Sequence, residues 1–135
     1  MTDTTLALQQ AIVAAVRDDA TLVGLVNRRI YDRTPAEVTP PYITLGPADV
    51  ISADADCISG DQITQQIDVW STAPGHGECK TICGALRTLF RRLAVEQAYL
   101  RFEIEHQATR VFPDADGLTT HGVVTVQAII DIAGD

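Results

Sequence analysis

Along the chain the spacing of apolar residues switches between a helical period and a strict period of two, and the switches mark out the elements. Thr4 or Thr5 can cap a first helix reaching about Arg17, with Leu8, Ile12, Ala15 and Val16 on one side. Asp18-Asp19 interrupts it and offers a new N-cap for a short helix through Leu22, Leu25 and Val26. From Asn27 to Pro41 the chain reads mostly as a connection, because Pro35, Pro40 and Pro41 forbid regular helix there. Tyr42-Ile43-Thr44-Leu45 predicts a short strand stopped by Gly46-Pro47, and Asp49–Asp61 is weakly patterned, either a strand pair or a loop. Between Gln62 and Trp70 the alternation is clear. Ile63, Ile67 and Val69 face one way, and Gln62, Thr64, Gln66 and Asp68 face the other.

Pro74-Gly75-His76-Gly77 punctuates the chain before its strongest helical pattern, in which Cys79, Ile82, Cys83, Leu86, Leu89, Phe90 and Leu93 form one stripe and Lys80, Arg87 and Arg91 line the opposite side. Next, Leu100, Phe102 and Ile104 alternate with Arg101, Glu103 and Glu105, and the parity changes near His106–Thr109, as a bulge would require. Asp114-Ala115-Asp116-Gly117 makes a turn into a last strand that points Val124, Val126, Ala128, Ile130 and Ile132 inward. Strands joined by short turns, with helices to cover one side, predict an α+β fold of two layers: a mixed, mainly antiparallel sheet packed against helices. No repeat or internal boundary breaks the pattern, so residues 1–135 read as a single domain.

Charge narrows the function. The net charge is −8, with 18 acidic residues against 10 basic ones, which argues against holding nucleic acid by phosphate neutralisation. The charge is also segregated. From Glu37 to Asp68 there are six acidic residues and no Lys or Arg, whereas Lys80, Arg87, Arg91, Arg92 and Arg101 bias the next stretch towards basic. Such asymmetry suits a subunit that meets oppositely charged faces of its neighbours, the alternative being ordinary solvated faces. No apolar run approaches the ~18 residues of a membrane span, and the N-terminus has no basic leader for export. Cys57, Cys79 and Cys83 make an odd set, which reads as reduced thiols in a cytoplasm rather than a disulfide framework.

Gly75-His76-Gly77-Glu78-Cys79-Lys80-Thr81 ends like a phosphate-binding loop, but Cys79 and Pro74 stand where that loop needs Gly. His76-x2-Cys79-x3-Cys83 offers three zinc ligands, with Cys57 or His121 as a distant fourth. Structural zinc sites show two tight pairs instead, which favours core cysteines and a surface histidine. Asp114-x-Asp116-Gly117 begins like a calcium loop, yet Thr125 stands where the closing Glu belongs. His106 lies on the inward parity of its strand, the place of a satisfied core histidine rather than a catalytic base. No nucleophile elbow or paired-acid signature is present, and the Lys80/Arg87/Arg91 stripe lacks the interleaved aromatics of a nucleic-acid surface. The residues therefore predict no enzyme, cofactor or metal.

A series of segments then carries a resemblance. Ala7-Leu8-Gln9-Gln10-Ala11-Ile12 is followed by Arg29-Ile30-Tyr31-Asp32-Arg33-Thr34-Pro35, then Pro41-Tyr42-Ile43-Thr44-Leu45-Gly46 and Val69-Trp70-Ser71. Ile82, Ala85 and Leu86 on the long helix, Asp116-Gly117, and His121-Gly122-Val123 complete it. In order and spacing these segments, from Ala7 to Ala128, resemble the tail-terminator (tail-completion) proteins of long-tailed phages and gene transfer agents. The three cysteines depart from that pattern, and Gly84 interrupts the basic side of the long helix, where it permits close approach of a neighbour or is a tolerated surface glycine.

The resemblance implies a structural virion protein, assembled in the bacterial host cytoplasm and lodged at the head-proximal end of the tail. It implies a homo-hexameric ring that stops polymerisation of the tail tube protein and presents a surface to a neck or head-completion protein. DNA would pass through without specific binding, and no membrane is involved. An acidic or neutral lumen wall is expected of such a ring, with some of Asp49, Asp54, Asp56, Asp61 and Asp68 facing it. Lys80, Arg87, Arg91 and Trp70 are candidate contacts to a neighbouring subunit or the tube. Trp70 sits on the polar parity of its strand, so it either covers the open side of the sheet or meets another subunit, the alternative being a strand-end Trp under a loop. Tyr31-Asp32-Arg33 with Pro35 is expected to fix the connection from helices to sheet. The alternatives are a head-completion or neck adaptor and, further off, a small metal-binding or enzymatic domain.

Overall fold

The computed structural model describes residues 3–52, 60–97 and 100–132. Helix α1 (Thr4–Asp18) is capped by Asp3, whose carboxylate accepts from the Thr5 and Leu6 amides; the cap expected at Thr4 or Thr5 falls one residue earlier. Thr4 is instead buried, and its hydroxyl donates to Asp61. Asp19 does open α2 (Ala20–Val26), accepting from the Leu22 amide at 3.0 Å. Asn27 and Arg28 leave that helix with positive φ of 49° and 62°, a left-handed exit that Asn tolerates better than most residues.

Six strands form one sheet: β1 (Ile30–Tyr31), β2 (Tyr42–Ser52), β3 (Gly60–Ser71), β4 (Ala94–Gln97), β5 (Leu100–Pro113) and β6 (Thr120–Ile132). Their order is β1-β2-β3-β6-β5-β4, with β1 parallel to β2 and every other pair antiparallel. The long helix α3 (Gly77–Arg92) lies across β3, β6 and β5, while α1 packs against β1, β2 and the other two helices. The fold is thus α+β: a mixed, mostly antiparallel sheet with three helices on one side.

Two expectations need correction. Gly46-Pro47 does not stop β2. A shift of register between Leu45 and Ala48 absorbs it, and the strand continues to Ser52 as one arm of a hairpin with β3. A bulge suits Pro, which has no N–H to give a ladder. The connection Asn27–Pro41 also contains the short strand β1, tied down where the Ile43 amide donates to the Arg29 carbonyl at 2.8 Å. The bulge foreseen near His106–Thr109 is present between His106 and Ala108.

Helix-facing positions make the core. Ile63, Ile67 and Val69 of β3, with Val124, Val126, Ala128 and Ile130 of β6, are buried against Leu8, Ile12, Val16, Leu22, Ile82, Leu86 and Phe90. At Gly122 α3 lies close against the sheet. A Cβ there would sit 2.6 Å from Cys83 Sγ and 2.8 Å from Cys79 Sγ, so the two thiols occupy the space a side chain would need. Hydrogen bonding to Cys83 draws the Cys79 thiol pKa down, while the same bond and burial push Cys83 up.

Candidate functional site

Among the described residues no helix covers the other face of the sheet, and one end of it is aromatic. Tyr42 of β2, Trp70 of β3, His121 of β6 and Phe112 of β5 stand in one cross-strand register row. Trp70 stacks on His121 at 3.9 Å between centroids, with 14° between planes, and lies 6.3 Å from Tyr42. Phe112 tilts against His121 at 4.9 Å, Arg110 sits 5.2 Å from the Phe112 ring, and Tyr31 extends the row beyond Tyr42. Five strands therefore contribute to one continuous set of rings.

Polar bonds fix the rings in place. Trp70 Nε1 donates to Thr44 Oγ1 at 2.9 Å, and His121 Nε2 meets Asp68 Oδ1 at 2.6 Å. Gln66 Nε2 donates to the same Asp68 oxygen at 3.0 Å. Gly46 closes over this carboxylate: a Cβ at Gly46 would lie 2.6 Å from Asp68 Oδ2. The bulge in β2 thus shields Asp68, and a glycine is what lets it approach. Burial, together with the nearby Asp114 charge, raises the Tyr42 phenol pKa. Every member of the row nonetheless keeps part of its surface exposed. Buried aromatics with satisfied polar ends are stable; half-exposed ones in a row form a surface suited to binding.

At the far end of the same face the character changes. Asp49, Glu103, Glu105 and Asp131 are exposed around Ile51 and Ile129, which are 63% and 42% exposed. Glu103, Ile104, Glu105, Gln127 and Ile129 line a hollow of about 340 Å³ there.

Comparison with known proteins decides the family. Residues 10–131 match the tail completion protein gp17 family. The chain belongs to that family. Tail completion proteins are structural components of virions, so the chain is a virion structural protein and not an enzyme. No curated protein matches the sequence. Among solved structures, a chain of the native gene transfer agent virion superposes with a TM-score of 0.85 at 22% identity, covering 97% of this chain and 99% of that one. The gp17 protein of bacteriophage SPP1 superposes with a TM-score of 0.61 at 20% identity, covering 97% of this chain and 91% of that one. At such identities the likeness carries the fold, and the fold agrees with the family.

The residues singled out as possible tail contacts occupy different places. Of the five aspartates, Asp49 is exposed on the open face, while Asp68 is buried beneath the aromatic row. Asp61 lies on the helix side, where Thr4 donates to it, so Asp49, Asp61 and Asp68 do not share a face. Asp54 and Asp56 lie outside the described residues, as does Cys57. Trp70 does cover the open side of the sheet. Lys80 and Arg91 are exposed on α3; Arg87 is half-buried where α3 meets β5, a position its helical spacing alone did not indicate. Tyr31 enters the aromatic row, and Asp32 and Arg33 are exposed beside it.

The motifs tested for chemistry resolve into structure. Asp116 accepts from the Leu118 and Thr119 amides and from the Thr119 hydroxyl, which hold its pKa below the usual carboxylate range and close the turn at Gly117 (φ 72°). Cys79 and Cys83 face the core, His76 is on the surface at the start of α3, and His121 faces the opposite side of the sheet from the thiols. His106 is half-buried and bonded to Thr109 Oγ1 at 2.7 Å.

Proposed function

We propose that the whole chain acts as one subunit of a homo-hexameric ring on the head-proximal end of a tail tube. The ring ends polymerisation of the tube protein and offers its other side to a neck or head-completion protein. Membership of the tail completion family carries this reading, and the similarity to a chain of a gene transfer agent virion supports placement within an assembled particle. The aromatic row from Tyr42 to Phe112 is assigned to the tube protein, because Trp70 is already anchored and half-desolvated and loses little freedom on contact. The net charge of −8 suits a passage that DNA must cross without being gripped. Asp49, exposed towards the hairpin end of the open face, is the described member of an acidic lumen wall that would include Asp54 and Asp56. Asp61, on the helix side and bonded to Thr4, and Asp68, beneath the aromatic row, are engaged within the subunit and are not part of the wall's surface.

Deletion of the gene and electron microscopy of the resulting particles test the reading. Filled heads without tails, beside free tubes of uncontrolled length, are expected. Tubes of normal length that fail to join heads would instead place the chain on the neck side of the joint.

A further inference from the structure

The groove between α3 and β5 is lined by Lys80, Cys83, Gly84, Arg87, Thr109 and Val111, and has a volume of about 390 Å³. Nothing stands within 4 Å of where a Gly84 Cβ would be, so its floor is open. Among the described residues, Lys80, Arg87 and Arg91 have no side-chain hydrogen bond or ion pair with the rest of the chain. Arg87 Nε is buried and has no acceptor. A guanidinium N–H removed from water without a partner costs free energy that an incoming acceptor recovers. The same chain carries the matching feature on its opposite layer. Glu103 and Glu105 are exposed on the open sheet face beside the exposed Ile129, and they too have no side-chain hydrogen bond or ion pair among the described residues.

We infer that the Lys80/Arg87 groove, with Arg91 further along the same helix, receives the Glu103/Glu105 patch of the open sheet face of a second copy of this chain, so that the sheet of one subunit seats on the α3 side of the next. The contact rests on the ring reading above and names its interface. Because the two patches lie on opposite layers of the subunit, the contact is head-to-tail and repeats with every copy added, as the contacts of a ring do when the rotation per copy closes. A charged pair of this kind fixes register and rejects wrong partners. A carboxylate is the acceptor that satisfies a guanidinium with matched geometry, and this acid-rich chain supplies it in every copy.

Lys80 is the chain's single lysine, which makes the test direct. Assembled particles are treated with a carbodiimide, which joins an amine to a carboxylate with no spacer, and linked peptides are identified by mass spectrometry. A self-linked dimer whose bridge runs from Lys80 to Glu103 or Glu105 is expected, and Lys80→Gln should abolish it. A self-linked ladder without that bridge keeps the ring and overturns this contact. Lys80 joined to a different protein assigns the groove to that protein and overturns it too. Particles that reconstruct without a ring of this chain remove the underlying reading. As a second arm, Glu105→Arg should lower tailed-particle yield at least tenfold, and pairing it with Arg87→Glu should restore most of the loss. Failure of the pair to restore yield, with both variants folded, contradicts the assignment.

Discussion

On the helix-covered face of the sheet, Ile63, Ile67, Val124, Val126 and Ala128 have no exposed surface. On the open face of the same sheet, Trp70, His121, Phe112 and Tyr42 remain partly exposed. The same backbone and the same two-residue period produce both faces. The first is completed by Leu8, Ile12, Ile82, Leu86 and Phe90 within the chain. The second is held rigid by Thr44 and Asp68 but left without a cover. The difference separates residues that make the subunit fold from residues that give the folded subunit something to bind with, and substitutions should fall into those two groups.

The largest effect on stability is expected within the covered face. Leu86→Ala should lower unfolding free energy by about 2–5 kcal/mol, read by urea denaturation, because a fully buried side chain leaves a cavity under the sheet. Gly122→Ala should cost about 1–3 kcal/mol by overpacking against the two thiols. Adding Cys83→Ala should return part of that loss, and strict additivity of the two would show that the close approach at Gly122 is not the cause. Across the sheet, Trp70→Phe removes the bond to Thr44 and should cost about 1 kcal/mol. Its incorporation into tails should fall much further than its stability. Equal losses in both would erase the distinction between the faces.

The pattern of alternation made most of this legible. β3, α3, β6, the Asp19 cap and the bulge after His106 all follow from spacing within one segment. β2 was harder, because Gly46-Pro47 is a strong stop signal and only contact with Asp68 on the next strand shows why the strand bends and continues. β1 and β4, of two and four residues, are too short for a period to show. Trp70 could be placed on the open side from its parity alone. The row around it could not, since its rings come from five strands whose register is set by tertiary pairing. Arg87 reads as solvent-facing by helical spacing, and the packing of β5 beside α3 is what buries its Nε.

A smaller effect sharpens the account of the α3–β5 groove. Burial first, and then the charges of Arg87 and Arg91, hold the His106 pKa below that of an ordinary imidazole. Since its folded value is the lower one, the unfolded chain takes up a proton first as pH falls. This group's contribution to stability is therefore intact above about pH 6.5 and is lost as pH drops below it. His106→Gln should flatten that part of the stability–pH profile. Arg87→Met should move the His106 titration upward in NMR, and an unmoved titration would detach Arg87 from this environment. Leu118→Ser, at the 79%-exposed tip of the β5–β6 turn, should change stability by no more than about 0.5 kcal/mol in a thermal melt.

The most direct measurement is a subunit-resolved reconstruction of the head-proximal end of tails containing this chain. A closed ring of this chain is expected at the end of the tube, with the row from Tyr42 to Phe112 covered by tube protein and the helix-covered core unchanged. A chain placed elsewhere in the particle, or a ring whose open sheet face looks into solvent with Trp70 uncovered, would contradict that expectation.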